Sequence, residues 1–370
     1  MKQVKKNYQI ISKILILILL LPLFGCAQLG PDFMASGRNE YNKVLANTND
    51  QETLLNLVRR RYADNVAILE VNSVSTSLVW EKSAGITSSI LNGDSGDSNT
   101  ISIRGDGSYS EKPTITYLPL HGADYVKNVL TPVKLDMILL LVRSGWTLDR
   151  LLRLTVNKIN EVDNASEASG PTPDLAPDYK KFKLISKQFS VLHRQNVISF
   201  GYRLEGDNRQ LGLLIKPQFR NTSEVTTFLK DINVNSSNTI IPITTNYSVI
   251  KSNSQIEMSL RSLAGIQFFL SHGVLIPEED LAAGRVKITK TESGDNFDWQ
   301  NILSDLFVVY SQKEEPKNAV IAVEYRGHWF YIKDNDMQTK YTMMLLNQIS
   351  ALQSGKIEKA GPVLTLPVSQ

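Results

Sequence analysis

The chain beyond residue 38 begins with a helical pattern of apolar positions. From Asn39 to Tyr62, apolar residues recur at spacings of three, four and seven, which predicts an amphipathic helix. Thr48 to Glu52 contains the Asn and Glu of an N-terminal capping box, so the pattern also predicts a break near Asn47. We therefore expect a helix in two parts.

A β-branched composition replaces this pattern from Val66 to Trp80 and predicts a strand. Asn92 to Asn99 is rich in Gly, Asp and Ser, which is typical of a loop. Thr100 to Arg104 and Pro113 to Leu118 predict two further strands. Strands separated by turn residues in this way favour an antiparallel sheet.

Helical and strand patterns alternate through the rest of the chain. The segment from Leu135 to Val142 is apolar almost all round and is expected to be buried. The predicted helices are 123–130, 135–142, 147–159, 179–195, 223–229, 260–270 and 337–353. The predicted strands are 197–204, 211–215, 306–310, 319–325 and 329–332, with short strands and loops over 233–255. The expected fold class is α+β, with antiparallel sheets packed against helices.

The stretch from Asp163 to Asp178 differs from its surroundings. It contains three prolines and four acidic residues but no basic residue, which indicates a linker or a long surface loop. With residues 161–178 as the boundary, the body divides into an N-terminal domain of residues 38–160 and a C-terminal domain of residues 179–370. We expect both to be periplasmic α+β subdomains.

Residues 1–25 have the anatomy of a signal peptide, with a Lys-rich start followed by an apolar run from Ile14 to Leu21. That run is shorter than the roughly 20 residues that a helix needs to cross a bilayer. The next residues, Leu23 to Cys26, resemble the lipobox of bacterial lipoproteins. The resemblance implies cleavage between Gly25 and Cys26 and a diacylglycerol and palmitate anchor on Cys26. An ordinary secretory leader with an incidental cysteine is the alternative.

The lipobox resemblance also implies a cellular location. Ala27 after the lipidated cysteine, where Asp would favour retention, implies sorting to the outer membrane of a Gram-negative cell. Residues 26–37 then form a tether which, at about 3.3–3.6 Å per residue, keeps the body close to the membrane. We expect the body to lie in the periplasm, with the membrane as a partner through the Cys26 lipid.

Charge and cysteine content narrow the classes of partner and chemistry. The chain has 40 Lys and Arg, 37 Asp and Glu, and a formal charge of +3. Four of the lysines lie in residues 1–25, so 36 bases and 37 acids remain after cleavage. The sequence therefore lacks the excess of basic residues that would indicate a nucleic-acid partner. Cys26 is the only cysteine, so the mature body has neither a disulfide nor a cysteine-based zinc site or nucleophile.

Motifs that suggest catalysis do not continue into a complete pattern. Gly93 to Gly96 begins like the serine-protease signature, but Asp97 and Ser98 follow instead of Gly and Pro. Ser248 to Lys251 fits Ser-x-x-Lys without the partner motifs that accompany it. Asp334 to Asp336 lacks the spacing of a calcium loop and is better explained as a helix N-cap. We expect no enzyme activity, no cofactor and no metal.

Two segments are candidates for binding a protein partner. The cluster Arg59, Arg60 and Arg61 ends the first helical region, where the cations complement the helix dipole or could bind acidic groups on a partner. Near the C-terminus, Leu364 and Leu366 lie in the run from Pro362 to Pro367, which could dock as an edge strand on this protein or on a partner, since proline is tolerated at the ends of such strands.

Several sequence runs together resemble a group of uncharacterised proteobacterial lipoproteins. These runs are LLNLVRRRY at Leu54 to Tyr62, SGW at Ser144 to Trp146, Arg261-Ser262, WFYI at Trp329 to Ile332 and GPVLTLPV at Gly361 to Val368. The resemblance brings no catalytic role with it. It implies a membrane-anchored lipoprotein of the cell envelope.

We therefore expect a structural or assembly component of an envelope protein complex, bound to other envelope proteins. The outer-membrane complex of a secretion system is one such assembly that the composition leaves open. An envelope hydrolase whose site shows no sequence motif is one alternative function. A carrier of lipids or small ligands is the other.

Overall fold

A computed structural model describes residues 29–66, 69–91, 98–119, 123–171, 173–205, 208–245 and 253–354. These residues form ten α-helices, three β-sheets and short 3-10 helices, which confirms the α+β class. The chain divides into two compact units. The first contains the described residues within Met1–Asp64 and Thr131–Gly355, and the second those within Asn65–Leu130 and Lys356–Gln370.

The first helix, α1 (Leu29–Arg61), is continuous. The predicted break near Asn47 is wrong, because the hydroxyl of Thr48 donates to the carbonyl of Val44 one turn earlier, at 2.9 Å, instead of starting a new helix. Residues 29–37 of the expected tether are also helical. The three arginines at 59–61 occupy the last turn of α1, as the sequence predicts.

The second unit contains a long hairpin, formed by strands β1 (Leu69–Leu91) and β2 (Ser98–Pro119), and helix α2 (Ala123–Leu130). The strands pair antiparallel from Leu69 with Pro119 to Leu91 with Ser98, with one irregularity between Val71 and Ser73. The separate strands predicted at 100–104 and 113–118 are therefore one strand. Its continuity comes from pairing with β1, which extends through the glycine-containing stretch between them.

A six-stranded sheet forms the centre of the first unit, with the strand order β4-β3-β8-β7-β6-β5. Its strands are β3 (Val156–Ile159), β4 (Val162–Asp163), β5 (Ile198–Glu205), β6 (Asn208–Ile215), β7 (Ile240–Thr244) and β8 (Ile256–Leu260). All neighbours are antiparallel except β7 and β8, which are parallel. The helices along this part of the chain are α3 (Leu135–Arg143), α4 (Leu148–Thr155), α5 (Lys180–Arg194) and α6 (Ser223–Asp231). The predicted helix 147–159 is wrong at its end, because Val156 pairs with Leu260 and starts a strand.

A three-stranded sheet completes the first unit, with the order β10-β11-β9. Its strands are β9 (Tyr310–Gln312), β10 (Ala319–Tyr325) and β11 (His328–Lys333). The remaining helices are α7 (Leu263–Ser271), α8 (Glu278–Ala282), α9 (Gln300–Leu303) and α10 (Met337–Ser354). Asp336 accepts from the backbone N–H of Thr339 at 3.0 Å and from its hydroxyl at 2.7 Å, so it caps α10 as predicted.

The acidic segment 161–178 lies within the first unit as a loop that contains β4 and a 3-10 helix at Ser166–Ser169. Asn164 is buried in it, and its side-chain amide donates to the carbonyls of Arg153 at 3.0 Å and Val156 at 2.6 Å. Residues before and after the segment share the six-stranded sheet, since β3 pairs with β8. The compact units thus have other boundaries than the predicted halves 38–160 and 179–370.

Among the helices that the structure describes, none combines the length and the apolar character that crossing a bilayer requires.

Candidate functional site

Several of the sequence-predicted sites fall outside the described residues. These are the lipidation and cleavage residues Gly25 and Cys26, the C-terminal pair Leu364 and Leu366, and the motifs 93–96 and 248–251. Within the described residues, no group of three or more His, Cys, Asp or Glu side chains is arranged to hold a metal ion.

The arginines at the end of α1 face the interior of the first unit to different degrees. Arg60 donates through Nη2 to Oε1 of Gln267 at 2.7 Å, and its guanidinium lies 4.9 Å from the centre of the Phe268 ring. Arg61 is buried and donates to the carbonyl of Lys287 at 3.1 Å. Burial lowers the pKa of Arg61 to about 10. Arg59 is half-buried. At least Arg60 and Arg61 therefore have structural contacts within the unit, while a role in partner binding stays a prediction.

Just beyond these arginines lies a cluster that sequence reasoning did not identify, made of Tyr62, Asp64, Asp280, Tyr325 and Arg326. The hydroxyl of Tyr62 donates to Asp280, and that of Tyr325 donates to Asp64. Arg326 also binds Asp64, at 2.8 Å. The two tyrosine rings meet edge to face, with centroids 5.6 Å apart. We call this group the tyrosine–carboxylate cluster.

The electrostatics of the tyrosine–carboxylate cluster keep its tyrosines protonated. Burial, and then the hydrogen bond to the carboxylate, raise the pKa of both Tyr62 and Tyr325 above the ordinary value. Hydrogen bonds from Tyr325 and Arg326 lower the pKa of Asp64. Tyrosines held in this way act as hydrogen-bond donors and not as bases. The cluster therefore ties the end of α1 to β10 and α8 and stabilises the fold.

The largest buried polar group of the first unit is Arg261, at the end of β8. Its guanidinium lies 4.1 Å from the centre of the Phe269 ring. It donates to the hydroxyl of Ser169 and to five carbonyls, those of Arg153, Leu154, Val156, Asn164 and Ala165. Burial lowers the pKa of Arg261 to about 9. The contacts cap the C-terminal end of α4 and hold the acidic loop against the sheet.

His272 follows α7 and is also buried. Its ring stacks on Trp299, and neither ring nitrogen has a hydrogen-bond partner among the described residues. Burial, together with the charges of Arg61 and Arg261, holds the pKa of His272 well below the ordinary value. The imidazole is therefore neutral at physiological pH and packs as an aromatic ring.

The grooves of the first unit carry charges of both signs. An open groove of about 790 Å³ between α4, α5 and α10 is lined by Arg150, Lys187 and Arg194 but also by Asp149 and Asp305. The two acids there are occupied, since Asp305 binds Arg153 at 2.8 Å and Lys183 at 3.1 Å, and Asp149 accepts from Ser186 at 2.7 Å. This arrangement supplies no unpaired general base and favours no single ligand charge.

An apolar cavity under α3 bears on the carrier alternative. Leu135, Leu139, Phe200 and Met258 are among the residues that line it, and its volume is about 20 Å³. Sites for drug-sized ligands measure roughly 300–1,000 Å³. This cavity is therefore too small to hold a lipid chain or a small ligand.

The hairpin of the second unit differs from these closed sites because its strand edges are open. Within the described residues, β1 and β2 form a two-stranded sheet and pair only with each other. The outer edge of each strand thus carries a row of backbone N–H and C=O groups that pair with none of the other strands the structure describes. A two-stranded hairpin is marginally stable in water without such a partner. The strand alternation over 74–90 would have revealed this hairpin in the sequence, where shorter strands were predicted instead.

Comparison with protein-family models, with curated proteins and with solved structures finds no match for this chain. The choice among candidate sites therefore rests on their geometry. The tyrosine–carboxylate cluster and Arg261 have their polar groups bound internally, and the grooves carry mixed charge. The edges of the β1–β2 hairpin are the best candidate for a functional surface.

Proposed function

We propose that the protein is a lipid-anchored structural or assembly component of a cell-envelope complex, and that it joins this complex through the β1–β2 hairpin. The observation that carries the proposal is the hairpin itself, two strands of 23 and 22 residues whose outer edges pair with no other described strand. Open edges of this length bind other strands through main-chain hydrogen bonds.

The character of the first unit supports an assembly role over catalysis. Its most perturbed titratable groups, Arg261, His272 and Tyr62, are explained by burial and by internal contacts. A hydrolase would need a nucleophile linked to a base, or a pair of carboxylates, in an accessible cleft. The carboxylates in the open groove at α4 and α5 are bound by Arg153, Lys183 and Ser186 instead.

The signal-peptide and lipobox pattern of residues 1–26 supports the cellular location in this proposal. Lipidation of Cys26 would hold the body at the periplasmic face of the outer membrane, where other envelope proteins are accessible. The membrane is then one partner, bound through the lipid, and the complex is the other. The outer-membrane complex of a secretion system is one assembly that this proposal includes.

The proposal is tested by shortening the hairpin without changing its register. Removal of Ser83–Leu91 and Ser98–Asp106 deletes paired rows and leaves Lys82 opposite Gly107. Full-length and shortened proteins are cross-linked in intact cells, and their complexes are purified and identified by mass spectrometry. We expect defined complexes with the full hairpin and their loss with the short one, while the first unit melts at the same temperature. Recovery of monomer alone from the full-length protein would overturn the proposal.

A further inference from the structure

We infer that the partner strand at the hairpin edge belongs to a second copy of this chain, with β1 of one copy paired antiparallel with β2 of the next. The inference rests on the proposed function and names the occupant of the open edge. Its evidence is the alternation of residue types along both strands and the position of four charges in the hairpin register.

Residue types alternate with a period of two along both strands. In β1, the even positions from Val74 to Ile90 include Val, Leu, Trp, Ala and Ile, whereas most odd positions between them are Ser, Thr or Gly. In β2, five of the odd positions from Ile101 to Tyr117 are isoleucine or tyrosine, whereas the even positions between them are mostly Ser and Thr and include neither. Since the register pairs even residues of β1 with odd residues of β2, the apolar positions share one face of the hairpin.

This alternation restricts what can pair with the open edges. A partner strand has to be about as long as β1 or β2, and it has to place its own apolar positions on the same face. The β2 strand of another copy meets both conditions, because β1 already pairs with β2 in this way inside each hairpin. If the same pairing is repeated between copies, the outer edge of β1 in one hairpin pairs with the outer edge of β2 in the next hairpin.

Four charged residues then fix the register between copies. Inside the hairpin, Glu81 lies opposite Ser108 and Lys82 lies opposite Gly107. Glu111 and Lys112 lie opposite Leu78 and Ser77, so the register pairs none of these four charged residues with another charged residue. Opposite charges directly across a strand pair are stabilising.

One displacement of the neighbouring strand places Glu81 opposite Lys112 and Lys82 opposite Glu111 at the same time. If β2 of the next copy is displaced by four residues from the hairpin register, Glu81 lies opposite Lys112 instead of Ser108, and Lys82 lies opposite Glu111 instead of Gly107. Because four is an even number, the displacement keeps all apolar positions on one face. The same displacement sets Ser83 of one copy opposite Ser110 of the next.

The contact between copies is therefore head-to-tail. Each copy pairs through its β1 edge with one neighbour and through its β2 edge with another. A heterologous contact of this type leaves an edge free after two copies and continues to further copies. The assembly therefore contains more than two chains. Its joint sheet has one mainly apolar face, which also holds the Lys82 and Glu111 positions, and one mainly polar face.

Cysteine cross-linking tests the pairing. Two differently tagged full-length chains are co-expressed, one with Ser83→Cys and the other with Ser110→Cys, so that a disulfide at these positions can form only between copies. Paired strands bring Cα atoms within disulfide distance, about 4.5–5.5 Å. The matched control replaces Ser110→Cys with Ser102→Cys, which lies eight residues from Ser110 along β2 and also has even number. Chains without an engineered cysteine report any reaction of Cys26.

Charge reversal tests the register independently of disulfide formation. Glu81→Lys sets two lysines opposite each other between copies, and Lys112→Glu sets two glutamates opposite each other. Either variant is expected to lose the assembly, whereas the double variant in one chain restores it. Inside the hairpin, both residues face uncharged partners in all variants, so a purely structural role would give no restoration.

Formation of the 83–110 disulfide between copies, its absence for 83–102, and restoration by the double reversal support the inference. Equal cross-linking at both positions, or cross-links to other proteins only, would overturn it while complex formation through the hairpin still holds. Monomeric protein without cross-links would overturn both the inference and the proposed function.

Discussion

His272 lies face to face with Trp299, with ring centroids 3.9 Å apart and 9° between the planes. The contact explains how a histidine without hydrogen bonds to either ring nitrogen is accommodated in the interior of the first unit. Stacking uses the neutral ring as an apolar surface. A proton on the ring would instead place a third positive charge near Arg61 and Arg261.

Because of this stacked pair, we predict that the free energy of unfolding decreases at acidic pH. The pKa of His272 is depressed in the folded state, so below the ordinary value of about 6.5 the unfolded chain binds a proton that the folded chain does not. The stability is present above that pH and decreases by up to about 1.4 kcal/mol per pH unit below it. His272→Phe keeps the stacking and is expected to reduce this fall, as measured by urea unfolding at pH 7.5 and 5.5. His193→Phe is the control, and an unchanged fall in His272→Phe would contradict the account.

Substitution of Arg261 is expected to reduce the stability of the protein strongly. Arg261→Met would leave several buried carbonyls without donors, each at a cost of about 1–3 kcal/mol, so we expect the free energy of unfolding to decrease by more than about 3 kcal/mol. Arg261→Lys is expected to recover only a part, because a single ammonium group cannot replace the planar fork of donors. Denaturant unfolding measures both, and a fully stable Arg261→Lys would refute the role of the fork.

The two tyrosines of the tyrosine–carboxylate cluster are expected to contribute unequally. Tyr62→Phe removes a donor from the fully buried Asp280, which should cost about 1–3 kcal/mol. Tyr325→Phe removes a donor from Asp64, which is more exposed, so a loss below about 1 kcal/mol is expected. Each carboxylate keeps an arginine in its variant, Arg285 on Asp280 and Arg326 on Asp64, so the two differ in burial. Equal losses in the two variants would show that burial of the carboxylate does not determine the difference.

Lipidation predicts the cellular fraction in which the protein is found. Cys26→Ser removes the thiol that would carry the diacylglycerol, and we expect the protein to leave the outer-membrane fraction. Ala27→Asp keeps the lipid and, by resemblance to Gram-negative lipoproteins, should move the protein to the inner-membrane fraction. Fractionation followed by immunoblotting measures both, and an unchanged distribution of Cys26→Ser would exclude this anchor.

Local patterns in the sequence predict individual elements well where propensity and packing agree. The helix 123–130 and the strand 319–325 have the predicted bounds. The hairpin was underestimated because Arg104 to Ser110 contains two glycines and few β-branched residues, so its strand conformation depends on pairing with β1. Pairing is a long-range property that local composition does not contain.

The polar contacts of the first unit could not be predicted for a related reason. Arg261 binds carbonyls from Arg153 to Ala165, about a hundred positions away in the chain, and carbonyls are common to all residue types. The pairing of Tyr62 with Asp280 likewise requires α1 to meet α8. In contrast, the alternation over 74–90 is visible in the sequence, and it is this signal that now supports the proposed interaction surface.

The most direct test of the central claim, that this protein is a component of an envelope assembly, is the mass of the particle extracted from membranes. Native mass spectrometry of the detergent-solubilised, full-length protein gives this mass without a cross-linker. We predict a particle that contains more than two chains and that dissociates to single chains in the Glu81→Lys variant. A wild-type particle with the mass of one chain would contradict the account.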